Sequence, residues 1–526
     1  MPEPPQPQLE YNFRIEAPHR SPVPRDVDAI RFTLADIRVE GAKVLPADSF
    51  KPLYQDLIGK EITLSKIYDV ADAIENAYRS AGYPLVRAYV PPQRVSDGVF
   101  TIKVVEGYIA ATSVEGASPS LQARIESYLV PAEQSRPLQL DPIERGLLLI
   151  NDIPGVTATG ILKPSASTPG ASDLIVTVTR PRYEGSVTVD NRGSNFSGIW
   201  TITGAAAVNG LFDSADQLGL TVTGSPHSEE QLGGQLRYRE PIGGSGLTGS
   251  LIGVLSHGEP GSTLSAFNVR TDSYAAGPRL TYPLIRSRAQ TLILDGGFTV
   301  QGAKVDILGT GISHDHWRVL DLAADFLSSD FLHGSIAGVV DLAQGIRVFG
   351  ATPDFSPELS RKGARTDFTK VVANVRFLEP LGKGFSAMFG MQGQYGFSPL
   401  ILGEQVTFGG KQIGRGYDPG AITGDRGIGG SAELRYDRRF DNMKPLTAIE
   451  PYVFYDTAAT TYINHGASFD PTLLNETIAS TGGGVRFWFD YNITAGLEVA
   501  RTLRAVPGSD GGSKTTKVLV DAAIRF

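Results

Sequence analysis

The sequence has 526 residues, no cysteine and a formal net charge of -8. This length exceeds one ordinary domain, and the lack of cysteine excludes both a disulfide framework and a thiol site. The acidic sequence pI, near 5.5, argues against a nucleic-acid-binding surface. No apolar run approaches the ~20 residues that a membrane-spanning helix needs, so a membrane crossing would require a closed β-barrel.

The first stretch, residues 1–31, is expected to be a proline-rich tail or linker. It lacks the apolar run of a signal peptide, and prolines are frequent from Pro2 to Pro24. Because proline interrupts helices, a long helix in residues 1–27 is not expected.

Two tandem α+β units follow, at 32–106 and 107–182. In the first, a strand near Phe32 precedes a helix from about Ala47 and a second helix that ends at Gly82, and two strands close the unit. Residues 107–182 repeat the order β-α-α-β-β. Tandem copies of one small unit suggest a docking arm more than an enzyme.

From Tyr183 to Phe526, helical periodicity gives way to alternation of apolar and polar residues. One example is the segment in which Leu434 and Tyr436 alternate with Glu433 and Arg435. A period of two with one apolar and one charged face fits a wall between lipid and water, and about sixteen such segments predict an outer-membrane barrel over 183–526.

The alternative is a set of soluble β-sandwiches. Arginines on the face opposite the apolar one argue against it, because a barrel encloses such a face as a lumen whereas a sandwich exposes it to bulk water. The arginines in question are Arg237, Arg239, Arg376, Arg435, Arg439 and Arg486.

One glycine-rich stretch, residues 402–430, is predicted to be a loop between two strands. It holds the sequence Ile413-Gly414-Arg415-Gly416-Tyr417. About 40 residues later comes a strand with the sequence Phe454-Tyr455-Asp456, which places one carboxylate on its polar face.

These motifs resemble those of the TpsB transporters of two-partner secretion, related to the haemolysin secretion and activation proteins. The resemblance covers roughly residues 30–526 and includes two further motifs, Tyr78-x-x-x-Gly82-Tyr83 and the stretch 147–155. In this superfamily of POTRA-bearing barrels, the strand motif usually ends in glycine, where this chain has Ala458.

The resemblance implies two periplasmic POTRA domains, at 32–106 and 107–182, and an outer-membrane barrel. It also implies that the POTRA domains capture the N-terminal secretion domain of a TpsA-like exoprotein and that the barrel passes this partner unfolded to the surface. The expected partners are that exoprotein and outer-membrane lipid. Neither nucleic acid nor a cofactor is expected to bind. Three alternatives stay open: a barrel-assembly factor, a passive porin and a scaffold for a surface adhesin.

The glycine-rich loop is expected to fold back into the lumen. An unpaired guanidinium is costly in a confined channel, so Arg415 needs a carboxylate there. We predict that it pairs with Asp456, beside Phe454 and Tyr417, while Gly414 and Gly416 let the loop backbone approach the wall. The alternative is an exposed arginine paired with a carboxylate of its own loop, Asp418 or Asp425.

A cargo-docking edge is predicted in the first unit. An exposed strand edge offers amides and carbonyls to an extended chain without demanding a sequence. The predicted edge runs from Leu85 to Val90, and a purely structural strand is the alternative. The six residues are Leu85, Val86, Arg87, Ala88, Tyr89 and Val90.

Enzyme motifs are absent from the sequence, which holds neither a Gly-x-x-x-x-Gly-Lys-Ser/Thr phosphate loop nor a His-Glu-x-x-His site. His314-Asp315-His316 suggests a metal site, but three consecutive strand residues alternate in direction, so we interpret the histidines as a hairpin-turn pair. The carboxylates of the glycine-rich loop suggest calcium only weakly, because solvated or arginine-paired carboxylates are commoner.

Overall fold

The structure, a computed structural model, describes residues 13–15, 27–95, 97–227, 229–463, 475–506 and 513–526. Within these ranges, no helix has the length and apolar character that crossing a membrane requires. The elements before the barrel are β1 Phe13–Ile15, β2 Arg31–Thr33, β3 Asp36–Glu40, β4 Glu61–Thr63, α1 Leu64–Ser80, β5 Val86–Tyr89, β6 Val99–Glu106, β7 Ile109–Glu115, α2 Pro119–Gln134, α3 Leu140–Asn151, β8 Thr157–Pro164 and β9 Ser172–Thr179.

The first α+β unit packs α1 against a sheet of order β3-β6-β5 and a small β2–β4 pair. The first predicted helix is wrong in type: residues Ala47–Leu53 and Gln55–Leu57 form 3-10 helices. Pro52 lies inside the first of these and has no amide hydrogen to donate, which disfavours a regular α-helix.

The motif that ends α1 connects the helix to the sheet. The Tyr78 hydroxyl donates a hydrogen bond to Glu106 Oε1 at 2.8 Å, and the ring is fully buried. Burial and this hydrogen bond raise the pKa of Tyr78, so the hydroxyl stays a donor at neutral pH. Gly82 follows in the left-handed conformation, at φ +86°, that commonly ends a helix.

The second α+β unit packs α2 and α3 on a sheet of order β1-β8-β9-β7. Its first strand, β1, comes from the predicted tail: residues 13–15 pair in parallel with 160–162. The Phe13 side chain packs on the core of this unit, next to Gly160. The remaining tail, residues 1–12 and 16–26, lies outside the described residues, as does the expectation about a helix there.

A closed barrel follows. Its strands are β10 Tyr183–Asp190, β11 Thr201–Asn209, β12 Gln217–Gly224, β13 Leu232–Pro241, β14 Thr248–Gly258, β15 Arg270–Arg286, β16 Gln290–Ile307, β17 Thr310–Phe331, β18 Gly334–Gly345, β19 Thr369–Gly382, β20 Phe385–Gly396, β23 Arg426–Tyr436, β24 Arg438–Arg439, β25 Leu446–Thr461, β26 Asn475–Phe489, β27 Ile493–Thr502 and β28 Thr516–Arg525. Between β20 and β23 lie two short paired strands, β21 Val406–Phe408 and β22 Ile422–Gly424, outside the barrel wall.

The wall consists of antiparallel neighbours, and β10 pairs with β28 to close it. Because β24 continues β23 along the same partner strand, the described residues form sixteen strands, which confirms the predicted fold class. Apolar side chains such as Leu251 (59% exposed) and Leu255 (68% exposed) point outward on alternate positions.

Strand direction gives the barrel two distinct ends. The second α+β unit precedes β10, so β10 runs away from that unit, and every second connection lies at the far end. Two of these far-end connections concern the site: residues 346–368, here called the exit loop, and residues 397–425, here called the luminal segment. 3-10 helices also occur at Ser262–Phe267 and, in the luminal segment, at Leu402–Glu404.

Ionic contacts join the second unit to the near end of the barrel. Arg286, at the end of β15, donates two hydrogen bonds of 2.8 Å to the carboxylate of Asp152 after α3. From α3 itself, Arg145 donates to the carbonyl oxygen of Pro283 at 2.7 Å. These contacts place the α+β unit at the mouth of the barrel.

Candidate luminal site

The luminal segment folds back into the barrel. Most of its apolar side chains are buried, and several pack against inward-facing wall residues. This core contains Val406, Phe408, Ile413, Tyr417, Ile422, Ala458, Ile478 and Val506. Ala458, where related motifs have glycine, is one of its members and is 4% exposed.

The structure brings Arg415 and Asp456 together. The Arg415 Nε lies 3.0 Å from Asp456 Oδ2, and Nη2 lies 2.9 Å from Oδ1, so the contact is bidentate. The backbone amides of Gly414 and Arg415 also donate to Oδ2, each at 3.1 Å. The Asp456 carboxylate is fully buried, and it therefore fixes both the side chain and the backbone of the loop.

Strand parity explains why Asp456 reaches the lumen. Tyr452, Phe454 and Asp456 are buried on the inner face of β25. Val453 is 58% exposed and Tyr455 48% exposed on the outer face, in agreement with the predicted alternation. The Arg415 guanidinium lies 3.5 Å from the centroid of the Phe454 ring, a cation–π contact that adds to the ion pair.

Two further carboxylates surround Arg415, and sequence reasoning did not assign them to it. Glu433 on β23 contacts Nη1 at 2.7 Å, and Glu498 on β27 lies 3.6 Å from the same atom. Glu433 in turn pairs with Arg435 at 2.6 Å and Arg486 at 2.9 Å. Arg415, Arg435 and Arg486 all contact Glu433, so positive and negative side chains lie next to one another. The buried charges are therefore compensated as a network. The inward parity of Glu433 was visible in the alternation, but its partners depend on the pairing of neighbouring strands and on the folding back of the luminal segment.

Tyr417 anchors the loop to the far end of the wall. Its hydroxyl lies within hydrogen-bond distance of the carbonyl oxygens of Ala479, at 2.9 Å, and Arg504, at 2.7 Å. The amides of the same two residues approach it at 3.3 Å.

Glycine is required where the loop meets the wall. Gly414 has φ +89°, and a Cβ there would lie 2.6 Å from Ile478 Cδ1. A Cβ on Gly416 would lie 3.0 Å from the backbone of Arg501 and Thr502. The loop backbone therefore lies directly against β26 and β27, and a side chain at either position would separate them.

The other end of the luminal segment is held by Glu404. Its Oε1 accepts a hydrogen bond from Trp317 Nε1 at 2.6 Å, and its Oε2 pairs with Lys370 Nζ at 2.7 Å. These partners lie on β17 and β19, whereas Asp456 lies on β25. The segment is thus attached to two separate arcs of the inner wall.

The alternative of an exposed arginine paired within its own loop is wrong. Asp418 pairs with Lys517 on β28, and Asp425 pairs with Arg361 of the exit loop at 2.5 Å. Arg415 is 6% exposed and contacts the wall carboxylates instead.

The predicted cargo-docking strand is shorter than expected. Among the residues that the structure describes, strand β5 pairs with β6 alone and so forms an edge of its sheet, but it spans Val86–Tyr89. Leu85 packs on the core of the second unit, which removes it from the edge. Glu75 of α1 accepts a hydrogen bond from the Ala88 amide at 3.0 Å, so part of the edge is already occupied.

The histidine pair lies in a strand. His314 and His316 belong to β17, with ring centroids 4.3 Å apart, so their placement in a hairpin turn is wrong. Asp315 between them points inward and accepts a hydrogen bond from the Ser360 amide at 2.8 Å. In the described ranges, no group of three or more histidine, cysteine, aspartate or glutamate side chains is arranged to hold a metal ion.

Comparison with known families gives two matches. The family described as haemolysin secretion/activation protein ShlB/FhaC/HecB matches residues 170–487. The POTRA domain of ShlB type matches residues 32–107.

Similar proteins share most of the chain's length. The heme/hemopexin transporter protein HuxB of Haemophilus influenzae (strain 86-028NP) is 22% identical over 512 residues, which cover 94% of this chain and 87% of HuxB. The outer membrane transporter CdiB of Dickeya dadantii (strain 3937) is 25% identical over 414 residues, which cover 77% of this chain and 72% of CdiB.

Among solved structures, CdiB from Escherichia coli has a TM-score of 0.71 at 20% identity and covers 97% of this chain and 93% of its own. BamA from Haemophilus ducreyi, lacking POTRA domains 1–3, has a TM-score of 0.58 at 13% identity and covers 94% of this chain and 100% of its own. At these identities the likeness shows the fold alone.

Proposed function

Because the chain belongs to the haemolysin secretion/activation family of outer-membrane transporters, we propose that it captures one partner exoprotein in the periplasm and passes it, unfolded, to the cell surface. The observation that carries this proposal is the Arg-Gly-Tyr loop, folded into a closed barrel and held on Asp456, behind a POTRA-type arm. A passive porin needs neither the arm nor the anchored loop.

The arm supplies recognition in this proposal. We divide the chain into a linker at 1–31, POTRA domains at 32–106 and 107–182, and a barrel at 183–526. The β5 edge of the first domain accepts an extended segment of the partner by strand addition, with α1 as the other wall. Support comes from the position of β5 at the edge of its sheet, with α1 beside it.

The contents of the lumen support passage in an unfolded state. The luminal segment packs a core of its own against the wall, and the exit loop packs beside it. An extended chain requires far less displacement of these buried residues than a folded domain does. We propose that folding of the partner outside the cell drives its passage.

The relatives are named as transporters, which supports a transported partner. One is named a heme/hemopexin transporter protein and the other an outer membrane transporter. We propose a large secreted protein with an N-terminal secretion domain, encoded beside this chain, as the substrate.

A secretion assay tests the proposal. The chain and its candidate partner are expressed together, and the partner is measured in the medium and on the cell surface. We expect secretion with the full chain and none after deletion of residues 32–106, while the deleted form still gives a heat-modifiable barrel. Undiminished secretion by that form would contradict recognition through the arm, and lack of secretion by the full chain would contradict the function.

A further inference from the structure

A second buried ion pair lies apart from the Arg415 network. Asp425, at the end of the luminal segment, is fully buried, and its Oδ1 accepts a hydrogen bond from Arg361 Nη1 of the exit loop at 2.5 Å. The same oxygen accepts the Leu400 amide at 2.9 Å. Its Oδ2 accepts the Ile463 amide at 2.7 Å. One carboxylate therefore joins the exit loop, both ends of the luminal segment and the residues that follow β25.

Arg361 makes the same connections from the other side. Its Nη2 donates to the carbonyl oxygen of Ile463 at 2.9 Å, and Nη1 approaches the Leu400 carbonyl oxygen at 3.2 Å. The guanidinium lies 5.1 Å from the centroid of the Tyr462 ring. The Tyr462 hydroxyl is hydrogen-bonded to Thr423 of the luminal segment. The exit loop, the luminal segment and the residues after β25 all lie at the far end of the barrel, where a transported chain leaves.

These contacts bring charged groups into a buried position that bulk water does not reach, where breaking the pair leaves a charge uncompensated. The Arg361–Asp425 contact is also a point where the exit loop, the luminal segment and the residues after β25 all meet. Deeper in the lumen, the luminal segment is held by the contact of Arg415 with Asp456. These two contacts share no residue, so the contact of Arg361 with Asp425 can open while the contact of Arg415 with Asp456 holds.

We propose that Arg361 and Asp425 are positioning residues that hold the exit closed, and that this contact opens when the partner passes. This inference rests on the proposed function for its secretion arm, but the closure of the pore is measured without any partner protein. Below, the contact is called the exit latch.

The first test measures the pore alone. Arg361→Ala and Asp425→Asn each remove the ionic contact, and we expect a severalfold rise in mean conductance in planar bilayers. Arg347→Ala is the matched control, because the ion pairs that Arg347 makes with described residues, to Asp354 and Asp367, stay within the exit loop. We expect the control to conduct like the unchanged chain. Equal conductance in all four proteins, each verified as a heat-modifiable barrel, would overturn the latch.

The second test closes the latch covalently. The chain has no cysteine, so the double variant Arg361→Cys/Asp425→Cys offers a single pair of thiols. Without a cross-linker it should conduct like the single variants. A short, reducible bis-methanethiosulfonate bridge should lower conductance and stop secretion, and reduction should restore secretion.

The outcomes separate the latch from the function. Secretion that continues through the bridged pore would overturn the latch while leaving transport intact. No secretion by the unchanged chain in the same cells would instead count against the proposed function. The conductance result stands in either case.

Discussion

At the scale of single residues, Arg415 is the side chain around which the luminal site is built. Its guanidinium contacts Asp456 and Glu433 directly, with Glu498 slightly farther away. Three carboxylates for one arginine leave excess negative charge, which Arg435 and Arg486 compensate through Glu433. Removing a single side chain therefore breaks one contact and also changes the net charge of the buried network.

Substituting the two predicted partners measures their coupling. We expect Arg415→Ala to destabilise the barrel by about 3–5 kcal/mol, because it leaves Asp456 buried without its cation. Asp456→Ala should cost a similar amount, since two backbone amides of the loop also lose their acceptor. Urea unfolding measures the loss of stability in both variants, with the heat-modifiable migration of the barrel in gels as the readout.

The double variant should be little worse than either single variant, because both changes remove the same contact. A matched control is Arg439→Ala on β24, whose guanidinium is exposed and lies 3.9 Å from Asp437. Exposed pairs contribute about 0–1 kcal/mol, so this control should unfold like the unchanged chain. Strictly additive losses at Arg415 and Asp456 would contradict the pairing.

The glycines of the loop permit a second comparison. Gly414 and Gly420 both have positive φ, at +89° and +72°, but only Gly414 lies against the wall. We expect Gly420→Ala to cost about 1–2 kcal/mol from backbone strain alone. Gly414→Ala should cost more and should alter conductance, because its methyl group would contact Ile478.

We compare the two variants by their conductance in planar bilayers and by their urea unfolding curves. Equal losses in both variants would show that backbone conformation, and not the close approach of loop and wall, is what Gly414 provides.

At the scale of elements, α1 and β5 form the proposed cargo-docking edge. Glu75 accepts the Ala88 amide at 3.0 Å and also approaches Arg87 at 3.5 Å. The carboxylate thus occupies a group that an added strand would use, and it blunts the edge against unwanted pairing. Docking of a partner strand must displace it.

Replacement of Glu75 tests this edge. We expect Glu75→Ala to bind the secretion domain of the partner more tightly than the unchanged chain, because the Ala88 amide is then free. Asp69→Ala is the control on the same helix, since Asp69 pairs with Lys66 at 2.9 Å on an exposed face. Surface plasmon resonance with the full-length transporter in detergent measures both. Unchanged affinity in Glu75→Ala would argue that β5 is a purely structural strand.

Sequence periodicity predicted the elements that repeat and missed those that depend on distant contacts. Alternation along β25 placed Phe454 and Asp456 inside, because the face of a strand residue follows from parity alone. Strand β1 was missed, since only three residues pair and their partner is β8, more than a hundred residues away in sequence. The network around Glu433 was missed because it forms only when the luminal segment folds back onto the inner face of neighbouring strands, which periodicity does not predict.

At the scale of the whole molecule, the structure orders three parts along one axis. The second α+β unit is attached to the near mouth through Arg286 and Asp152. The luminal segment lies inside the barrel, where Glu404 contacts Lys370 of the wall and Arg415 contacts Asp456. The exit latch of Arg361 and Asp425 lies at the far end. A chain that enters beside the arm must therefore pass the luminal segment before it reaches the exit.

The central claim is that the partner crosses through the lumen. Site-specific photo-crosslinking during secretion tests it most directly, with the partner stalled by a folded domain fused to its C-terminus. Thr221 on β12 faces inward, and its neighbour Leu220 faces outward and is 49% exposed, so these two positions form a matched pair. We predict crosslinks to the stalled partner from a photoreactive residue at Thr221 and none from Leu220. Crosslinks from Leu220 alone, or from neither position while the partner is stalled in transit, would contradict the account.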